Sequence, residues 1–257
     1  MTWKVIASSV IGTTHIESNT SCEDAFNYTI INNNGNEVVI ACICDGAGSA
    51  AYAKEAAQLV TTLTIDTITA FIAKGTLISK ALLIDVIESI HDELRLLSLK
   101  QDKPFEDFAC TFLCAVLFNN QSIFMQIGDG VIIQEDHNNG YAAIWWPDNG
   151  EYINSTFFIT DDDYLSHLKI TIIHHPINEM AILTDGLQSL VLNSETSSVH
   201  QPFCWNLFKW LRMATSTDEV TILQGKLEEY LNSDTINTRT NDDKTLFLAT
   251  RISSTDD

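Results

Sequence analysis

Basic residues are scarce in this chain: 14 Lys and Arg stand against 34 Asp and Glu in 257 residues, a formal net charge of −20. Nucleic-acid phosphates attract clusters of Lys and Arg, so no nucleic-acid partner is expected. No Cys-x-x-Cys pair and no His-Glu-x-x-His spacing occurs, which removes the usual zinc signatures. Nor does any apolar run approach the roughly 18 residues of a membrane span; "ACTFLCAVLF" at 109–118 has the length of a core strand. The opening "MTWKVIASSV" carries one lysine and no cleavage site, so a first strand is expected there, not a signal peptide. The six cysteines lie mostly within apolar runs and read as reduced, buried thiols of a cytoplasmic protein.

What the chain does have is the makings of a core: 45% apolar and 19% charged residues mark a globular protein. "WKVIASSV", "AFNYTII" and "EVVIACIC" read as strands, with Asn34-Gly35 as a hairpin turn between the last two. Ala53, Ala56, Ala57, Val60, Leu63, Thr64, Thr67 and Phe71 repeat at helical spacing. Leu83, Val86, Ile87, Ile90, Leu94 and Leu97 do the same after a break at Gly75. Strands return with "CTFLCAVLF", "SIFMQIGDG" and "VIIQE", then "KITIIHH" and "EMAILTDGL". Helical material from about 201 to 231 precedes a last strand, "KTLFLATR". Residues 135–168 are polar and irregular and are expected to form a mobile insertion. The whole, 1–257, is expected to be a single α+β domain in which helices cover antiparallel sheets.

The acids are placed. Asp45, Asp129 and Asp185 each end a hydrophobic run and each precede glycine. Glu23-Asp24 stands just before one strand and Asp242-Asp243 just before another. One Asp-Gly step is ordinary turn chemistry; five acidic sites at strand ends are hard to account for as independent turns. Clustered carboxylates repel one another and take up protons unless cations hold them ionised. Oxygen donors without His or thiolate favour Mg²⁺ or Mn²⁺ over Zn²⁺. Glycine beside each acid lets water and backbone carbonyls approach an ion.

In this order, "CEDAF", "ICDGAGS", "IGDG", "LTDGL" and "NDDKTLFL" resemble the motifs of the metal-dependent protein phosphatases of type 2C across nearly the whole chain. "GTTH" ahead of Cys22-Glu23-Asp24 is similar to a bacterial branch of that family. The resemblance implies a four-layer αββα sandwich, two central antiparallel sheets flanked by helix pairs, with residues 135–168 as a flap. It implies a serine/threonine protein phosphatase using two Mn²⁺ or Mg²⁺ ions, with a third in bacterial members. Asp45 would be shared by both ions, Asp185 and Asp242 would complete the first site, and the Gly46 carbonyl the second. Glu23 and Asp24 would act through water, and Asp129 with Asp185 would hold the third ion. A hydroxide between two ions roughly 3.5–4 Å apart would attack phosphorus in line.

Three positions depart from the family pattern. Asn19 stands where many members carry a phosphate-gripping arginine, and His15 is the candidate replacement. Ala47 stands where some carry a histidine proposed as general acid, and Gly130 replaces a common serine. The implied partners are a phosphorylated protein and a cognate Ser/Thr kinase, with no nucleic acid and no membrane, and the chain is expected to be a monomer. Two rivals remain. One is a pseudophosphatase that binds a phosphoprotein without turnover, suggested by the missing arginine. The other is a different two-metal hydrolase, disfavoured by the low basic content and the lack of a Gly-Lys-Ser/Thr phosphate loop.

Overall fold

The computed structural model describes residues 2–136, 140–147 and 156–251. In chain order the elements are β1 (Trp3–Val10), α1 (Thr13–Glu17), β2 (Ala25–Asn33), β3 (Asn36–Cys44), α2 (Ala53–Ala73), α3 (Lys80–Gln101), β4 (Phe112–Leu117), β5 (Ser122–Ile127) and β6 (Val131–Glu135). There follow β7 (Tyr141–Ala143), α4 (Tyr164–His167), β8 (Lys169–Ile173), β9 (Glu179–Leu183), α5 (Gln188–Val191), β10 (Leu192–Asn193) and β11 (Ser198–Val199). The chain closes with α6 (Gln201–Met213), α7 (Thr217–Leu231), α8 (Asp234–Asn237) and β12 (Lys244–Arg251). The fold is α+β, with two five-stranded antiparallel sheets. Two compact units, each assembled from separate stretches of sequence, contain one of these five-stranded sheets apiece.

The first unit comprises residues 1–22, 130–147 and 177–257. Its sheet runs β1-β12-β9-β6-β7, and α6 and α7 bury Cys204, Phe208, Leu211, Leu227 and Leu231 in its core. Their single expected stretch is two helices, because Ala214 leaves the helical conformation and Ser216 starts a new N-terminus. Ser216 Oγ accepts the Glu219 N–H at 3.2 Å, and the Glu219 carboxylate accepts the Thr215 N–H at 2.6 Å, a reciprocal cap. Between α6 and α7 lies a cleft of about 540 Å³ floored by the cross-strand pair Ile6 and Leu248. As a sealed void it would cost about 13 kcal/mol at ~24 cal/mol per Å³, comparable with a whole domain's stability. Trp210 and Lys226 are exposed at its lip, so it is open to water.

The second unit comprises residues 23–129 and 148–176, with sheet order β2-β3-β4-β5-β8. The β2–β3 turn has the expected form: Asn34 and Gly35 both take positive φ, 53° and 83°, and Asn33 pairs with Asn36. Helices α2 and α3 cover the face carrying Val38, Ile40, Cys42 and Cys44. Gly75 (φ 68°) ends α2, with the Thr76 N–H bonded to the Phe71 carbonyl at 3.0 Å. The buried stripe of α2 runs through Ala57, Thr61, Ile65, Ile68 and Ile72. Leu63, Thr67 and Phe71, expected on it, flank it half-buried. At 21 residues α2 is long and apolar enough to cross a membrane by length and composition alone, contrary to the expectation of no such run. Its apolar stripe is nevertheless spent on this core.

Of the insertion expected at 135–168, residues 137–139 and 148–155 lie outside the described residues. The described parts are anchored in the cores. Tyr141 is buried in the first unit, and Ile159 and Tyr164 in the second.

Candidate metal centre

Within the second unit, antiparallel register gathers four of the expected residues at one sheet edge. Ala25 pairs with Cys44 as the last rung of β2–β3, so Glu23-Asp24 and Asp45-Gly46 leave the sheet at the same end. Gly46 is packed against Glu23: a Cβ there would lie 2.8 Å from the Glu23 carbonyl oxygen, 2.9 Å from Ala53 Cβ and 3.0 Å from Glu23 Cβ. Only glycine permits that approach. Thr111, just before β4, holds the Asp45 backbone on both sides. Its Oγ1 accepts the Asp45 N–H at 2.9 Å, and its own N–H donates to the Asp45 carbonyl at 2.8 Å. Ala47 N–H donates to the Ala109 carbonyl at 3.0 Å. These bonds flank Gly46 without using its carbonyl. Thr111 also braces Gly128 (φ 104°), the residue before Asp129, where a Cβ would lie 2.7 Å from the threonine methyl. Asp24 is buried, while Glu23, Asp45 and Asp129 are half-buried.

Within the first unit, β9 and β12 bring Asp185 and Asp242 together. Leu183 pairs with Leu246, and beyond that rung the Thr184 N–H donates to the Thr245 carbonyl at 3.2 Å while Thr184 Oγ1 accepts the Thr245 N–H at 3.0 Å. Asp185-Gly186 and Asp242-Asp243 therefore stand side by side. A Cβ on Gly186 would strike the Asp243 carbonyl and approach Asp242 Cβ at 3.4 Å. Val131, two residues after Asp129, pairs with Leu183, two residues before Asp185. Asp242 is exposed.

Asp243 points elsewhere. It is 2% exposed; its Oδ1 accepts the Gly12 N–H at 2.6 Å and its Oδ2 meets His15 Nδ1 at 2.9 Å. Gly12 lies against the Asn241–Asp242 backbone so closely that a side chain would collide with it. Helix α1 then carries His15 back to the same carboxylate, and Thr14 N–H bonds the Asn241 carbonyl at 3.0 Å. The Gly-Thr-Thr-His run is thus a clasp on Asp243. The next residue, Lys244, is fully buried and reaches Asn237 Oδ1 at 2.9 Å and the Ile11 carbonyl at 3.3 Å. The motifs assign no role to Thr111 or Thr184, and in the sequence Asp242-Asp243 is one acidic pair. A threonine inside "ACTF" and another before Asp-Gly were the available signals, and nothing distinguished Asp243 from Asp242.

Among the described residues, no three or more His, Cys, Asp or Glu side chains are already closed into a cation cage. The fit to a metal therefore rests on donor chemistry and access. The expected donors Glu23, Asp24, Asp45, Asp129, Asp185 and Asp242 offer carboxylates only, the set that suits hard divalent cations. Gly46 and Gly186 leave the backbone bare where a Cβ would fill the space. Each edge by itself offers the carboxylate oxygens that suit Mg²⁺ or Mn²⁺. Cysteine chemistry is disfavoured, because burial pushes the Cys44 and Cys114 thiols well up and that of Cys204 to about 12.

Residues 11–232 match the family profile described as Protein phosphatase 2C. The chain is 33% identical over 251 residues to Serine/threonine-protein phosphatase 3 of Escherichia coli strain K12, covering 97% of this chain and 98% of that one. Among solved structures it resembles the serine/threonine phosphatase Stp1 from Staphylococcus aureus, with TM-score 0.64 at 15% identity over 98% of this chain and 96% of that one. It also resembles RsbX in complex with magnesium, with TM-score 0.57 at 13% identity over 96% and 94%. At such identities these structures speak for the fold.

Proposed function

The chain belongs to the protein phosphatase 2C family and is a serine/threonine protein phosphatase, and from that premise we propose that it is metal-dependent, with the acids at its strand ends as ligands. Asp45, Asp185, Asp242 and the Gly46 carbonyl would hold two Mn²⁺ or Mg²⁺ ions, with Asp45 contributing to both sites. Glu23 and Asp24 would act from outer positions, and Asp129 with Asp185 would hold a third ion. When bound, the ions supply the hydroxide nucleophile at neutral pH and offset charge on the phosphoryl oxygens. The observation that carries this reading is the pair of acidic sheet edges, each built around a glycine that tolerates no side chain.

The chain's own groups do the positioning. Thr111 fixes the Asp45 backbone through two hydrogen bonds, which holds its carboxylate at a constant place. Asp243 orients His15 through Nδ1, and His15 steadies the substrate phosphate in place of the arginine absent at Asn19. The phosphoserine or phosphothreonine side chain leaves as the alcohol. The substrates are phosphoproteins supplied by a cognate Ser/Thr kinase, and the reduced thiols suit a cytoplasmic enzyme. Phosphoserine, phosphothreonine and phosphotyrosine peptides, assayed side by side with Mn²⁺ and with EDTA, test this. Hydrolysis of the first two that EDTA abolishes is expected; binding without turnover, or turnover insensitive to EDTA, overturns it.

A further inference from the structure

The cleft between α6 and α7 has the size and lining of a small-molecule site. At about 540 Å³ it lies within the roughly 300–1,000 Å³ of drug-sized ligand pockets, which are mostly apolar with a few placed polar groups. Its walls follow helical spacing: Phe203, Leu207 and Trp210 from α6, Leu223 and Leu227 from α7. Both helices thus turn an apolar stripe toward the gap, which the sheet floors with Ile6 and Leu248.

The polar lining is asymmetric in charge. Lys226 is the one charged side chain among the described lining residues, with the Asn206 amide as a neutral donor and acceptor. Lys209 adds a second cation near the mouth, 5.1 Å above the Trp210 ring. Four acids of α7, Asp218, Glu219, Glu228 and Glu229, lie outside the lining. In a chain with 34 acids and 14 basic residues, an apolar cleft whose one charged lining side chain is Lys226, beside the Asn206 amide and the Tyr230 hydroxyl, selects for an anion. Elsewhere the surface field, at net charge −20, repels one.

We propose that this cleft binds a small amphipathic carboxylate, an alkyl or aryl acid whose apolar body lies on Leu207, Trp210 and Leu223 and whose carboxylate meets Lys226. The proposal is independent of the metal centre. It is tested with the full chain and three probes of one chain length, decanoate, decanol and decylammonium, by calorimetry and by tryptophan fluorescence with Trp210→Phe as the control. Decanoate is expected to bind, with decanol and then decylammonium weaker. Lys226 is exposed, so Lys226→Glu leaves the fold intact; it should weaken decanoate about tenfold and reverse the order of the two charged probes. Leu223→Trp should narrow the cleft and weaken binding of all three. Equal affinity for the three probes, or decanoate binding unchanged in Lys226→Glu, overturns the proposal. So does a concentration-dependent dimer that Trp210→Ser disperses, because the cleft would then belong to a second copy of the chain.

Discussion

Replacing Gly46 by alanine perturbs the acidic edge of the second unit without removing a ligand. The added Cβ would sit 2.8 Å from the Glu23 carbonyl oxygen, against the 3.4 Å at which ordinary contact begins, a shortfall of 0.6 Å. The obstruction is backbone on one side and the first residue of α2 on the other, so neither is a flexible tip that could swing away. Overpacking of this kind costs about 1–3 kcal/mol. At roughly 2–4 °C per kcal/mol for a chain of this size, Tm should fall by about 5 °C. The larger effect is on chemistry. A misplacement of about 1 Å can cost ~100-fold in rate, so a shift of just over half that should lower kcat about tenfold. Gly48→Ala, two residues on, is the control, since its Cβ would meet nothing within 4 Å. The assay is Mn²⁺-dependent hydrolysis of a phosphothreonine peptide with a thermal melt of each variant. Wild-type kcat and Tm in Gly46→Ala, or equal damage from Gly48→Ala, would refute the reasoning.

Other consequences can be measured on the fold itself. Gly225 is exposed in the middle of α7 and its Cβ would meet nothing within 4 Å, so Gly225→Ala should stabilise by about 1 kcal/mol in urea denaturation. Arg212 Nη1 lies 2.8 Å from Glu179 Oε2, and Glu179, 5% exposed, also accepts bonds from Tyr141 and Thr250. Arg212→Met leaves that carboxylate buried without its cation and should cost about 2–3 kcal/mol, discounted for the arginine's partial exposure. His91 is stacked on Tyr164 at 4.3 Å, and burial, followed by the charge of Arg95, holds its pKa below 6.5. The unfolded chain then takes the proton that the folded chain resists, so stability is whole above about pH 6.5 and is lost as pH falls below it. His91→Phe should keep the stacking and lose that part of the slope between pH 7.5 and 5.5. An unchanged slope would contradict the assignment.

Elements specified by local chemistry were legible in the sequence. Asn34-Gly35 is the turn it looks like, Gly75 ends α2, and the three Asp-Gly steps do fall at strand ends. Features set by tertiary packing were not. The stripe of α2 turns toward Ile65, Ile68 and Ile72 because β2 and β3 lie on that side, and helical spacing alone fits either flank. The break between α6 and α7 is written in Ser216-Thr217-Asp218-Glu219, a cap signature inside a stretch whose apolar spacing is helical throughout. In the pair Asp242-Asp243, one carboxylate stays at the surface while the other is buried beneath Gly12 and His15, a division made by the cap and first turn of α1, far away in sequence. Thr111 is silent in the sequence for the same reason: its work is done across the sheet, on a residue 66 positions earlier.

Phosphothreonine-peptide hydrolysis by the wild type and by Asp45→Ala, each titrated with Mn²⁺, bears most directly on whether carboxylates from separate strand ends serve one metal-dependent reaction. Loss of turnover at every Mn²⁺ concentration, with the melting profile of a folded chain retained, is the expected result. Wild-type turnover in Asp45→Ala would contradict it.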